Sequence, residues 1–238
     1  NSNYLSIRLF AFIALVSVLL LLVDRDSHPL WHSVLAILFV FLVIFLFLIG
    51  LMARLYFTPR AEEKRRQDFL SNAFHIPLTH ERTIGYYNND LTGSIDRIAA
   101  QLLENSLFTK TITRTMARRE RILVLLYFAV YLLIILNRDS NLELITIASQ
   151  VLFSEQALSR CIRLEWLRMR SEKIFDEVYR MFQSKPDTDN FQVQTLDFLI
   201  DYESTKATAG ITLSSKLFNR LNPSLSQEWE YIKKVLYI

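Results

Sequence analysis

The chain has 238 residues and a single cysteine, Cys161, so no intrachain disulfide, CxxC pair or cysteine-rich zinc site can form. Its 27 Lys and Arg against 24 Asp and Glu leave a formal charge of only +3, so where the charges sit matters more than their sum. A mean hydropathy of +0.21 beside 21% charged residues describes a hybrid of apolar blocks and a polar folded part. Its four glycines, Gly50, Gly85, Gly93 and Gly210, are too scattered for a glycine-rich phosphate loop.

Residues 5–23 (LSIRLFAFIALVSVLLLLV) form the first apolar run, with Arg8 near one end placed to snorkel. A signal peptide is the alternative, but the run ends in Asp24, Arg25 and Asp26 without a small-x-small cleavage site. The row opens on Asn1 and not on Met, which leaves room for a few residues before it. After the short link DRDSHPLWHS, residues 30–55 carry the strongest signal. From Val34 to Leu51 there is no charge, and Phe39, Phe41, Phe45 and Phe47 lie all round the helix. At ~1.5 Å per residue this run matches the ~30 Å hydrocarbon core of a bilayer. Arg54, Arg60, Lys64, Arg65 and Arg66 follow it in a stop-transfer pattern.

Thr58-Pro59 reads as a fresh helix start, with Phe69, Leu70, Ala73 and Phe74 near one side. Residues 75–93 read as loop. A helix beginning near Ser94 carries Ile95, Ile98, Ala99, Leu102 and Leu103 at helical spacing and runs on to Arg118, Arg119 and Arg121. Residues 122–136 form a third, short span, and residues 142–158 a fourth that Glu143, Ser149, Gln150, Ser154, Glu155 and Gln156 interrupt. Four spans put the basic stretches 54–66, 114–121 and 160–170 on one side, leaving only Arg25 and Arg138 in the outer turns. Beyond the fourth span an amphipathic stalk is expected on Leu158, Ile162, Trp166, Met169, Ile174, Val178 and Met181, broken by KPDTDN. Helices at about 191–205 and 215–220 follow. A terminal one starts at Asn222-Pro223, with Trp229, Ile232 and Leu236 on one side.

The fold class expected is therefore an all-α membrane protein: four transmembrane helices as two hairpins, plus a helical cytoplasmic domain. The segments are 1–56 (first hairpin), 57–118 (cytoplasmic middle), 119–160 (second hairpin) and 161–238 (stalk and C-terminal helices). Both termini and the middle segment face the cytoplasm.

Four histidines do not gather at metal-ligand spacing, and no nucleophile elbow, kinase set or dinucleotide fingerprint occurs. Neither an enzyme nor a metal site is expected, and no cofactor. Two features point to function. Ser149, Gln150 and Glu155 line either a pore or an ordinary interhelical contact, because intramembrane polar groups face a bundle interior or a water path. In the inner loop, Tyr86, Tyr87 and Asn88, with Arg65, Arg66 and Arg97 nearby in sequence, offer stacking rings, an amide and phosphate-binding cations. The other reading of that loop is a capped surface loop whose tyrosines pack on neighbouring helices.

AEEKRRQDFLSNAF followed by GYYNND, LLENSLFTKTITRTM before the third span and SKLFNRLNPSLSQEWEYIKK at the end resemble one known family. It is the four-transmembrane, pore-forming effectors of cyclic-oligonucleotide-based antiphage signalling (CBASS). The resemblance implies a bacterial inner-membrane protein that a cyclic di- or trinucleotide messenger activates. The protein would then form a homo-oligomer, disrupt the lipid bilayer and kill the infected cell; no DNA or RNA polymer is implied. The alternative is a non-permeabilising membrane scaffold or sensor that holds a protein partner through its cytoplasmic helices.

Overall fold

The computed structural model describes residues 2–23, 26–78, 91–136, 142–152 and 155–238. Every regular element among them is helical: α1 (Ser2–Leu22), α2 (Pro29–Met52), α3 (Thr58–Phe74), α4 (Ser94–Leu136), α5 (Leu142–Leu152), α6 (Arg160–Ser184), α7 (Thr188–Ala209) and α8 (Ser215–Leu236). The chain divides into two compact units. The first comprises Asn1–Pro59 and Glu120–Cys161, the second Arg60–Arg119 and Ile162–Ile238.

In the first unit, α1 packs on α2 and touches α5. Pro29 opens α2 at a position where its missing N–H costs nothing. Not one residue of α2 is buried, although nearly all are large and apolar; Phe41 is 67% exposed. The expected helix start at Thr58-Pro59 is replaced by continuity, with one helix running from Pro29 to Phe74. Among the described residues this is the helix long and apolar enough to cross a membrane. The reason is local. A wide π turn, Ala53–Phe57, sits just before Pro59, and the Thr58 N–H reaches Ala53 O. Widening the turn is one of the ways a helix accommodates a proline, whose ring crowds the carbonyl four residues back. At 11 residues, or about 16 Å, α5 is by itself shorter than a ~30 Å core; it is followed by a second π turn, Glu155–Ser159, that leads into α6.

In the second unit the first half of α4 is the central helix. Every residue from 97 to 107 is buried, so it is enclosed on all sides. Ala99, Leu102, Leu103 and Leu107 meet Ile174, Phe175, Val178 and Met181 of α6, Tyr202 of α7, and Leu225, Trp229 and Ile232 of α8. Ile112, Met116 and Ala117 continue the core with Leu164, Leu167 and Ala209. Phe69 and Ala73 bring α3 against Ile98.

Two sequence expectations change here. The segment read as a stalk is part of this core: Leu164, Leu167, Ile174 and Val178 are buried, whereas Ile162 and Met169 are 59% and 52% exposed. Both stripes obey three-four spacing, and only the packing partners decide between them. Likewise α8 does not start at Asn222-Pro223. It runs unbroken through Pro223, with Leu225 and Trp229 only 2% and 1% exposed. Burying those two side chains contributes about 2–3 kcal/mol each, which outweighs the ~3 kcal/mol an interior proline costs.

Candidate functional site

Three polar constellations emerge. The first joins α3 and α7 by charge. Arg65 Nη2 donates to both carboxylate oxygens of Glu203, at 2.8 and 2.7 Å, and its Nε donates to Glu62 at 2.9 Å. Lys206 Nζ, almost fully buried, reaches the same Glu62 oxygen at 3.2 Å. Tyr202 lies beneath both cations, its ring centroid 5.9 Å from the Arg65 guanidinium and 5.7 Å from Lys206 Nζ. The Tyr202 hydroxyl shares a 2.8 Å hydrogen bond with Thr109 of α4. Helical spacing builds this arrangement, since Glu62/Arg65 and Glu203/Lys206 are each three residues apart and share a face.

The electrostatics follow from burial and neighbours. Burial and the nearby Arg65 push Lys206 down to about 8, against the pull of Glu62 and Glu203. Burial opposes the charge of Glu62, yet Lys206 and Arg65 outweigh it and hold the carboxyl below its ordinary value. Arg65 loses some favour to burial and regains more from Tyr202, Glu203 and Glu62, so its affinity for the proton is raised. Two cations and two carboxylates balance. The Arg65 fork is filled from within the chain.

Arg97, the second expected phosphate ligand, is also engaged. Its Nε donates to Ala73 O at 2.8 Å, one Nη lies against His75 Nε2, and the same nitrogen reaches Leu91 O at 3.5 Å. His75 has φ +57°, so Arg97 secures a left-handed turn just past α3. Arg66 is exposed on α3. Tyr86, Tyr87 and Asn88 lie outside the described residues. Of the six expected ligand residues, then, the structure uses two for internal ties and leaves Arg66 facing outward.

The expected pore residues diverge. Ser149 Oγ donates to Ile145 O at 2.8 Å and lies 3.4 Å from the Tyr131 hydroxyl. Gln150, next along and rotated about 100°, is exposed on a groove of about 180 Å³ between α1, α2 and α5. Glu155 opens the second π turn, and its side chain lies outside the described residues. An ion pair that sequence reasoning missed, Arg160 to Glu120 at 3.1 Å, is mostly shielded within the same unit.

The third constellation was also missed. A cleft of about 410 Å³ in the second unit is lined by Leu91, Asp96, Phe182, Lys185, Phe191 and Tyr237, among others. Phe182 and Phe191 meet edge to face at 5.6 Å, and Lys185 Nζ stands 5.6 Å from the Tyr237 ring centroid. Its size falls in the range of small-molecule sites. The available signal was the KPDTDN break, which reads in sequence only as a helix stop. Among the described residues no three His, Cys, Asp or Glu side chains gather as a metal site. Comparison with protein-family models, with curated proteins and with solved structures finds no match.

Proposed function

We propose that the chain is a membrane-embedded effector of bacterial antiphage defence, with four spans in the inner membrane and a helical cytoplasmic unit. A cyclic di- or trinucleotide messenger activates it by favouring an assembled, membrane-disrupting state over the resting one. The observation that carries the membrane part is the inversion along α4. Residues 97–117 bury Gln101, Ser106, Thr109 and Thr113, whereas residues 122–136 carry no polar side chain but Tyr127 and Tyr131, and Leu125, Leu133 and Leu136 are 66%, 70% and 75% exposed. An apolar surface of that extent fits hydrocarbon as its solvent. The messenger part is supported by the resemblance and by the cleft. There Tyr237 offers a ring for a base, Lys185 a cation for phosphate and Asp96 an acceptor for an exocyclic amine. With Arg65 and Arg97 tied internally, these are the better-placed contacts.

Dye release from vesicles carrying the full chain, with and without a panel of cyclic di- and trinucleotides, tests the reading. Release with one nucleotide, lost in Lys185→Ala, is the expected result. Absence of release with every nucleotide, from folded protein, sinks it.

The scaffold reading is favoured by one observation. On α7, Val193, Leu196 and Ile200 are 67%, 44% and 68% exposed at three-four spacing, a stripe suited to a protein partner.

A further inference from the structure

The groove on the first unit combines two properties that a pore lining does not use. Its walls, from Ile13, Phe39 and Val43, are apolar, yet Gln150 stands exposed on it. Among the described residues no hydrogen-bond partner meets the Gln150 amide. Gln150 precedes Arg160 by about ten residues, and Val43 precedes Arg54 by about eleven. At ~1.5 Å per residue Val43 lies about 16 Å from its basic flank, half of a ~30 Å core, and Gln150 lines the same groove. On the four-span placement proposed above, on which this inference rests, a primary amide therefore faces the middle of the bilayer.

A lipid chain offers that amide neither donor nor acceptor. A second amide offers both. All copies insert with the same orientation, so a two-fold axis along the membrane normal can bring the same groove of two chains face to face, and a residue that lies on that axis meets its own copy. Phe10, Ile13, Ala14 and Ser17 form the α1 side of the groove; Ser17 is buried, and the small, half-buried Ala14 leaves a neighbouring helix room to come close. Ser17 does not compete for the amide, because its hydroxyl already donates to Ala14 O at 2.8 Å. A volume of about 180 Å³ admits one side chain from a partner helix. We propose that this groove docks a second copy of the chain, the two Gln150 amides pairing at mid-membrane.

The test uses the full chain in vesicles. In a Cys161→Ser background, Ala14→Cys, which lies on the groove and keeps the Gln150 amide, is expected to form a covalent dimer under mild oxidation. Phe41→Cys, on α2 outside the groove, should crosslink several-fold less. In the otherwise unchanged chain, Gln150→Leu should weaken association, read by energy transfer between labelled copies, about tenfold. Equal crosslinking at both positions, or unchanged association in Gln150→Leu, overturns the proposal. Capture of an acyl-chain photoprobe at residue 150 without a protein dimer also overturns it, assigning the groove to lipid. Rapid attack on Ala14→Cys by a membrane-impermeant maleimide sinks the span placement, whereas a shielded cysteine with no dimer sinks only the docking. A dimer that never leaks with any nucleotide sinks only the effector reading.

Discussion

The two ends of α4 are one helix built by opposite rules. Residues 97–107 are buried on every side and include Arg97, Gln101, Glu104, Asn105 and Ser106; residues 122–136 contain no charged or amide side chain, and none is buried. In water this distribution is upside down. It becomes consistent on the span placement proposed above, with protein interior around the first end and hydrocarbon around the second. Polar groups inside a helical bundle can find partners, as Gln101 Nε2 does in Asn72 Oδ1 at 2.6 Å and Thr109 does in Tyr202, while Gln101 Oε1 and Asn105 Nδ2 meet no hydrogen-bond partner among the described residues. Hydrocarbon would match none, and on the proposed third span residues 122–136 carry only the hydroxyls of Tyr127 and Tyr131.

The buried end of α4 is where a single substitution has most to lose. Trp229 of α8, 1% exposed, packs in the core around residues 99–107. Trp229→Ala should cost about 3–5 kcal/mol in chemical denaturation of the purified protein. A cost under about 1 kcal/mol would show that this core does not hold the second unit together. At the other end, Leu126→Arg is the informative change. Leu126 is 58% exposed, so in water the substitution would alter stability by no more than about 0.5 kcal/mol. In hydrocarbon an arginine at a span centre costs about 3 kcal/mol of insertion free energy. Reduced membrane integration of Leu126→Arg, measured by alkaline extraction, is the expected outcome, and full integration would remove the third span.

A third effect is intermediate in size and confined to the second unit. Lys206 holds its proton less tightly in the folded chain, at about 8, than at its ordinary 10.5. As pH rises from 7 to 10 the folded state releases the proton first, so the unfolded chain carries the more protons over that window. Stability must then rise with pH there, by about 2 kcal/mol from this group. The groups around Lys206 are Glu62 and Arg65 from α3 and Glu203 and Tyr202 from its own helix. Lys206→Met should remove the rise while Arg65 keeps its carboxylate partners. A rise that persists in Lys206→Met assigns it to another group.

The all-helical class was legible because three-four spacing and long apolar runs survive in the text. Residues 34–51 needed no partner to be read. What was illegible depended on choices among faces. In α6, Ile162/Trp166/Met169 and Leu164/Leu167/Ser171 are equally good stripes, and the second wins because Ile112, Met116 and Ala209 are there to meet it. At Pro59 and Pro223 the residue argues for a boundary, and the π turn in one case and the Leu225–Trp229 core in the other override it. The candidate site suffered most. Arg65 and Arg97 look in sequence like free cations beside a loop; their partners Glu203 and Ala73 lie 138 and 24 residues away. Basic residues do not announce whether a carboxylate already waits for them.

The two units also differ in how their helices start. In the second unit α8 begins at Ser214, whose hydroxyl accepts from the Leu217 N–H at 3.3 Å, an N-cap of the usual kind. In the first unit α2 begins at His28, which makes no side-chain cap hydrogen bond; Pro29 starts the helix by removing a donor instead of satisfying it. Ser214→Ala should therefore lower the stability of the second unit by about 1 kcal/mol. His28→Ala, with no cap to lose, should leave the denaturation midpoint where it was. Equal losses in the two variants would mean that α2 depends on a cap at His28, and the contrast between the ends of the molecule would then rest on burial alone.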